Sequence, residues 1–232
     1  MSTSWVKRRL RAHGFWPRPL PINNHKPGPV TKAQIMKFQK ARGLEVDGIV
    51  GPQTIAALKA SRPSRERARA LKWANDAVGI TEHPPGSNDG PRIRKWWVNA
   101  GYNFAVPYCC CFTSCAIEHA TRGRVRARQL GGYCPTVVAI ARQGSLGFRI
   151  VKLKDARPGD LCFFDFGHET YDHVGIFVKH DGPDHIRTIE ANTSPDSSID
   201  QSIQAQANGG GVYRRRRSNG LVSAVVRPPY RD

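Results

Sequence analysis

A cysteine at the start of a predicted helix is the residue of this sequence best placed to act as a nucleophile. Cys109 follows Pro107-Tyr108 and begins an apolar run that is typical of a buried helix. Backbone N–H groups and the dipole at a helix N-terminus stabilise a thiolate and lower the thiol pKa from its usual value of about 8.5. Free cysteines are also common as small core residues, so the position alone leaves a structural role for Cys109 open.

Three further cysteines, Cys110, Cys111 and Cys115, lie along the same predicted helix, where we expect them to be buried. Cys111, Cys115 and His119 recur every four residues and could share one helical face, which leaves a zinc site as an alternative. No Cys-x-x-Cys pair or second pair of ligands accompanies them, and this disfavours zinc. Because adjacent cysteines cannot easily bridge each other, we predict that the chain's six cysteines are reduced thiols.

A histidine and a glutamate on neighbouring predicted strands could complete this chemistry. His173 heads an apolar strand, and Glu190 lies at the end of the next strand. A turn over residues 180–184 would pair the two strands antiparallel and bring these side chains together. A carboxylate beside an imidazole orients the ring as the base that a cysteine nucleophile needs, so we predict the trio Cys109, His173 and Glu190.

The sequence around Cys109 resembles the nucleophile motif of the CHAP family, the cysteine, histidine-dependent amidohydrolases/peptidases. That motif typically reads Pro-Trp-Cys-Ala-x-Phe-Val, and the chain has Pro107-Tyr108-Cys109-Cys110-Cys111-Phe112-Thr113. The family's later motifs are matched in order by Arg157-Pro158-Gly159-Asp160-Leu161-x-Phe163-Phe164, Asp172-His173-Val174-Gly175-Ile176 and Glu190-x-Asn192. The resemblance covers about residues 64–230, and residues 82–90 look like the opening segment of phage-lysin relatives. Tyr108, Cys110 and Cys111 depart from the pattern, so the choice of Cys109 rests on its register with Phe112.

The resemblance implies a papain-like α+β domain that hydrolyses an amide bond in the peptide part of peptidoglycan. Cys109 would be the nucleophile, His173 its base, Glu190 the group that orients His173, and Asn192 a supporting polar group. No cofactor is implied; some relatives bind calcium, but the chain has no convincing Asp-rich loop. Endopeptidase and N-acetylmuramoyl-L-alanine amidase activities use the same thiol chemistry, and both stay open.

The first 60 residues resemble the peptidoglycan-binding helical module of endolysins and wall amidases. The match is strongest over residues 30–58, where the chain reads Phe38-Gln39-x-x-x-Gly43-Leu44-x-Val46-Asp47-Gly48-Ile49-Val50-Gly51-Pro52-x-Thr54. We expect three short helices: one around 5–13, one opened by a Thr31-x-x-Gln34 capping box and ended by Gly43, and one started by Gly51-Pro52. An adaptor bundle without a ligand is the alternative. We predict a module over 1–60, a linker over 61–64 and a catalytic domain over 65–232.

The remaining elements must position the cysteine, the histidine and the glutamate. Helices are predicted over 64–78, 91–100, 109–120 and 135–142. Strands are predicted over 148–153, 160–166, 173–178, 186–191, 211–215 and 221–226. Helices followed by antiparallel strands indicate an α+β fold.

The charge of the chain favours an anionic polymer as its partner. The 232 residues carry a formal net charge of +18, and residues 1–60 hold 11 Lys/Arg against 2 Asp/Glu. Bacterial wall and nucleic acid both fit such a charge, so a non-catalytic basic protein that binds either one is the alternative to a wall hydrolase. The chain shows no recognisable nucleic-acid-binding fold, and we expect no nucleic acid as partner. The run Arg214–Arg217 is expected to be a solvated strand edge, or else a contact to acidic wall polymers.

The sequence also bears on where the protein acts. It contains no stretch of about 18 apolar residues and no apolar segment typical of a signal peptide after its basic start. For an enzyme that acts on the cell wall, this predicts synthesis in the host cytoplasm and release by a membrane-perforating, holin-type partner, as for a phage endolysin. A bacterial autolysin with another export route is the alternative. We expect a monomer.

Overall fold

The computed structural model describes residues 2–23, 27–42, 44–59, 64–167, 171–194 and 210–231. The chain divides into two compact units, residues 1–62 and 63–232. Of the predicted linker, residues 61–63 lie outside the described residues, as does Gly43, the predicted end of the second helix. None of the described helices combines the length and the apolar character that crossing a membrane requires.

The first unit is helical. Its helices are α1 (Thr3–Ala12), α2 (Pro29–Ala41) and α3 (Pro52–Lys59). They bury a small core of Val6, Leu10, Trp16, Ile35, Phe38 and Leu58. The predicted capping box at Thr31 is wrong, because α2 begins two residues earlier, with Gly28 as its N-cap and Pro29 in its first turn. Proline is pre-organised for that position, and Thr31 is buried instead.

A buried glutamine holds the loop between α2 and α3. Gln39 Nε2 donates to Asp47 Oδ1 at 2.7 Å, to Ile49 O at 2.9 Å and to Thr54 Oγ1 at 3.2 Å. The backbone N–H of Gly48 donates to Gln39 Oε1 at 2.9 Å. One buried amide therefore ties both halves of the loop together, which explains physically why the motif combines these residue types.

The second unit packs helices against an antiparallel sheet. Its helices are α4 (Arg65–Ala77), α5 (Ile93–Asn99), α6 (Cys109–Thr121), α7 (Ala127–Leu130) and α8 (Cys134–Arg142). Ser64 caps α4, because its hydroxyl accepts a hydrogen bond from the backbone N–H of Arg67. Helix α7 was not predicted, since four residues are too few for a helical period to show in the sequence.

Within the ranges that the structure describes, the sheet has six strands. They are β1 (Arg149–Val151), β2 (Leu161–Phe164), β3 (His173–His180), β4 (His185–Thr193), β5 (Gly211–Ser218) and β6 (Val222–Arg227). Their spatial order is β1-β6-β2-β3-β4-β5, with antiparallel pairing throughout. This arrangement confirms the predicted α+β class.

The two faces of the sheet have different roles. One face packs against the helices through Leu161, Phe163, Val174, Ile176 and Ile189. The other face carries a second cluster that includes Cys162, Phe164, Phe177, Ile186 and Val225. Since side chains alternate along a strand, His173 lies on the face of Phe177, and Glu190 lies on the face of Ile186.

A buried ion network fastens α4 to the sheet. Asp160 is fully buried and accepts hydrogen bonds from Arg67 Nη1 at 2.7 Å and from Arg227 Nη2 at 2.8 Å. Its Oδ2 also accepts from the backbone N–H of Arg157 at 2.9 Å. The Arg-Pro-Gly-Asp motif thus joins the first helix of this unit, the turn before β2 and strand β6.

Candidate active site

Cys109 is the first residue of α6, and its thiol lies beside a second buried thiol. The distance from Cys109 Sγ to Cys134 Sγ, at the start of α8, is 3.9 Å. The hydrogen bond from Cys134 lowers the pKa of Cys109 well below the usual thiol value; burial opposes this shift, and His173 adds to it. The same hydrogen bond, together with burial, raises the pKa of Cys134. Of these two thiols, Cys109 is therefore the one that more readily loses its proton.

His173 heads β3 and is fully buried. Burial by itself lowers the pKa of His173, but the neighbouring Cys109 and Glu190 outweigh burial and raise it to about 9. His173 Nε2 lies 3.0 Å from Glu190 Oε2, whereas Nδ1 has no hydrogen-bond partner of normal geometry in the described ranges. Because an ionised carboxylate can only accept, Nε2 carries a proton, and Nδ1 is the nitrogen left for Cys109.

Among the described residues, four donor atoms surround the carboxylate of Glu190. Oε1 accepts from Thr188 Oγ1 at 2.5 Å and from Arg217 Nε at 3.1 Å. Oε2 accepts from His173 Nε2 at 3.0 Å and from Arg217 Nη2 at 2.5 Å. Burial acts to raise the pKa of Glu190, but the charge of Arg217 and the contact with His173 hold it well below its usual range. Glu190 is therefore ionised, and its orientation is fixed.

The register of β3 and β4 shows how Glu190 reaches His173. Glu190 pairs directly with Gly175, two residues after His173 on the same face. A Cβ atom at Gly175 would lie 2.6 Å from Glu190 Cγ, closer than such atoms approach in proteins. Because Gly175 has no side chain, there is space for the Glu190 side chain to extend along the sheet to His173.

Asn192 is not joined to the other three predicted site residues. It has a left-handed φ of 57°, where the pairing of β4 with β5 shifts register. Its Oδ1 is buried without a hydrogen-bond partner in the described part of the chain, and its backbone contacts the hydroxyl of Tyr108. The structure therefore brings Cys109, His173 and Glu190 together and leaves the Asn192 side chain outside their contacts.

Arg217 was not among the predicted site residues. The run Arg214–Arg217 was expected to be a solvated edge, yet Arg215 is only 3% exposed and Arg217 is 0% exposed. The expectation of solvation is wrong for these two residues. Strand β5 does lie at the edge of the sheet, but alternation turns every second side chain of the run inward. In a run of four arginines this alternation shows only in the structure, because the residue type is the same at every position.

Two of the other cysteines of α6, Cys111 and Cys115, lie outside this group, whereas Cys110 is hydrogen-bonded to Cys134. Burial raises the pKa of Cys111 and raises that of Cys115 to about 12. Cys115 Sγ lies 3.5 Å from the carbonyl oxygen of Trp96, and His119 is exposed. Within the described ranges, no three His, Cys, Asp or Glu side chains are grouped to hold a metal ion, so the zinc alternative has no assembled site. All six cysteines are free thiols, which confirms the prediction from their spacing.

Comparison with protein families gives two matches. Residues 2–58 match the family described as "Putative peptidoglycan binding domain", and residues 99–192 match the family described as "CHAP domain". No curated protein and no solved structure matches the chain. A CHAP domain indicates amidase or peptidase activity, and its combination with a peptidoglycan-binding domain supports a role in binding and hydrolysing the bacterial cell wall. Cys109, His173, Glu190 and Asn192 all lie within the second match.

Proposed function

We propose that this chain, in which a peptidoglycan-binding domain precedes a CHAP domain, cleaves an amide bond in the peptide part of peptidoglycan with Cys109 as nucleophile. The observation that carries the proposal is the buried set of contacts from Cys109 through His173 to Glu190. A thiol whose pKa is lowered, beside an imidazole held by an ionised carboxylate, has the features of an activated cysteine nucleophile.

The proposed reaction has two stages. Cys109 Sγ attacks the amide carbonyl carbon, and backbone N–H groups in the first turn of α6 stabilise the oxyanion. His173 then gives the proton on Nδ1 to the leaving amine, which departs and leaves a thioester on Cys109. Water attacks the thioester and passes a proton to Nδ1; the C–S bond breaks, releasing the carboxylic acid and the thiolate. Glu190 accepts from Nε2 throughout and stabilises the imidazolium.

In this proposal the helical unit holds the enzyme on its insoluble substrate. A cavity of about 370 Å³ adjoins the loop that Gln39 organises, and its lining includes Leu44, Glu45, Asp47 and Ile49. Apolar surface beside hydrogen-bonding groups suits a sugar or peptide of the wall. The excess of basic residues adds a nonspecific attraction to anionic polymers.

We further propose that the protein works as a monomeric phage endolysin that a holin-type partner releases from the host cytoplasm. The basic, wall-binding character and the combination of domains support this reading. The cleaved amide lies either between amino acids, as for an endopeptidase, or between the muramoyl lactyl group and L-alanine, as for an amidase.

Digestion of purified peptidoglycan followed by mass spectrometry of the fragments tests the proposal. Wild type and Cys109→Ala are compared with Cys115→Ala, which removes another buried thiol of the same helix. We expect wild type and Cys115→Ala to release fragments with one new amino group and one new carboxyl group per cut, and Cys109→Ala to release none. A new amino group on L-alanine identifies the amidase, and one elsewhere in the peptide identifies the endopeptidase. Undiminished digestion by Cys109→Ala, or cuts confined to glycosidic bonds, would overturn the proposal.

A further inference from the structure

Arg217 forms the far end of the contacts that begin at Cys109. Its guanidinium donates from both Nε and Nη2 to Glu190, a forked geometry that fixes a carboxylate in one orientation. The guanidinium also lies 5.6 Å from the ring centre of Phe164 and 5.1 Å from that of Phe166. Both rings lie 6.0 Å from the ring of His173. One aromatic pair therefore contacts the arginine and the imidazole together.

The charges of this buried group balance only if Arg217 is included. The ionised groups are the Cys109 thiolate, the His173 imidazolium, the Glu190 carboxylate and the Arg217 guanidinium, which sum to zero. Two thiols with a raised pKa, Cys134 from α8 and Cys162 from β2, also face them. A third thiol, that of Cys110, is hydrogen-bonded to Cys134. Without the guanidinium the same group would bury one negative charge. Burying an unpaired charge is unfavourable, so the group would take up a proton instead.

The neighbouring arginine of the same strand shows what an ordinary surface contact looks like here. Arg216 is partly exposed, and its Nε donates to Asp181 Oδ2 at 2.7 Å, away from Glu190. Arg217 by contrast is fully buried and donates to a carboxylate that itself holds His173. The two residues are adjacent in β5. Because successive side chains of a strand point to opposite faces of the sheet, only Arg217 reaches Glu190.

We propose that Arg217 is a positioning residue of the catalytic centre, which clamps Glu190 so that Oε2 accepts from His173 Nε2 and Nδ1 stays available to Cys109. The inference rests on the proposed roles of Cys109, His173 and Glu190. Removing Arg217 leaves a buried carboxylate without its cation, so Glu190 becomes protonated or turns away from His173. The imidazolium then loses support, and the pKa of Cys109 rises. Lysine cannot reproduce the two parallel hydrogen bonds, so it restores the charge but only part of the effect.

The pH dependence of alkylation at Cys109 tests this role without any wall substrate. Iodoacetamide reacts with the thiolate, and mass spectrometry of the full-length chain follows its addition at Cys109. We expect the midpoint pH to rise by about one unit or more in Arg217→Met, by a smaller amount in Arg217→Lys, and not at all in the control Arg216→Met. A merely structural arginine would change the amount of folded protein and leave the midpoint in place. Unchanged midpoints in the folded Arg217 variants would overturn the proposal.

A double-mutant cycle decides whether Arg217 acts through Glu190. In a Glu190→Gln background, the shift caused by an Arg217 substitution should fall to about half or less of its value in the wild-type background. Where Arg217→Met does not fold alone, Arg217→Lys takes its place in the cycle. Equal shifts in both backgrounds would contradict the role. A chain that shows these shifts but does not hydrolyse peptidoglycan would contradict the proposed function and not this inference.

Discussion

The sulfur of Cys109 owes much of its acidity to a residue that no sequence motif indicated. Cys134 lies 25 positions further along the chain, yet its Sγ is 3.9 Å from that of Cys109. A thiol is a weak hydrogen-bond donor, but a donor to a thiolate in a buried site stabilises the charge more than it would in water. At the scale of single residues, Cys134 is thus part of the environment that lowers the pKa of the proposed nucleophile.

Replacing Cys134 should therefore shift the acidic side of the pH–activity profile. In Cys134→Ala the hydrogen bond to Cys109 is lost, the pKa of Cys109 rises, and activity on wall fragments falls most at low pH. Cys134→Ser keeps a donor and should retain most of the activity there. Measuring kcat/KM against pH checks this, with Cys115→Ala as a buried control. An acidic limb that is the same in Cys134→Ala and wild type would contradict the prediction.

The raised pKa of His173 predicts the alkaline side of the same profile. The proposed reaction needs a thiolate together with an imidazolium. His173 is protonated below its pKa of about 9 and loses the proton above it. Turnover should therefore be steady near neutral pH and fall as the pH rises through about 9, which completes a bell-shaped curve. Activity that persists unchanged well above this pH would show that a protonated His173 is not required.

At the scale of single residues, the contacts that could be predicted from the sequence are those between residues on consecutive strands. The strand and turn pattern placed His173 and Glu190 on adjacent strands, and the structure shows them in contact. The contacts of Cys134 with Cys109 and of Arg217 with Glu190 were not predicted, because they depend on how distant segments of the chain pack. No local pattern marks a thiol or an arginine as the neighbour of a particular buried group.

At the scale of elements, the pairing of β3 with β4 is the feature that makes the site. Gly175→Ala should push Glu190 away from His173, since the added Cβ would lie 2.6 Å from Glu190 Cγ. We expect kcat to fall about tenfold or more with a small change in KM, because a displacement near 1 Å can cost about a hundredfold in rate. Gly220→Ala is the matched control, since its nearest neighbouring atom would be 3.7 Å away. Equal kcat values in the two variants would show that the space at Gly175 is not needed.

The elements themselves were predicted unevenly, for physical reasons. The strands emerged from short apolar runs between turn residues, and their order in the chain gave the antiparallel pairing. The start of α2 was misplaced because Pro29 competes with Thr31 as a helix start, and both are acceptable locally. The position of β6 between β1 and β2 could not be predicted, because the pairing of the last strand depends on contacts between distant parts of the chain.

At the scale of the whole molecule, the basic helical unit and the catalytic unit should contribute separately to wall binding. We expect full-length Cys109→Ala, which lacks the proposed nucleophile, to sediment with purified peptidoglycan, and its binding to weaken but survive as salt is raised. The Debye length falls from about 10 Å at 0.1 M to about 3 Å at 1 M, which screens charge but not shape. Sedimentation of a chain that lacks residues 1–62 provides the comparison. Complete release at moderate salt would show that the helical unit binds the wall through its positive charge alone.

The place of β6 has a consequence for the timing of synthesis. This strand comes after every residue of the candidate site, yet it lies inside the sheet, and Arg227 at its end closes the ion network around Asp160. A nascent chain that has not yet emerged from the ribosome beyond residue 227 cannot complete that sheet or give Asp160 its second arginine partner. Chains cut short by stalled translation would therefore lack a completely folded second unit. The proposed hydrolytic activity would begin only after synthesis has passed this strand.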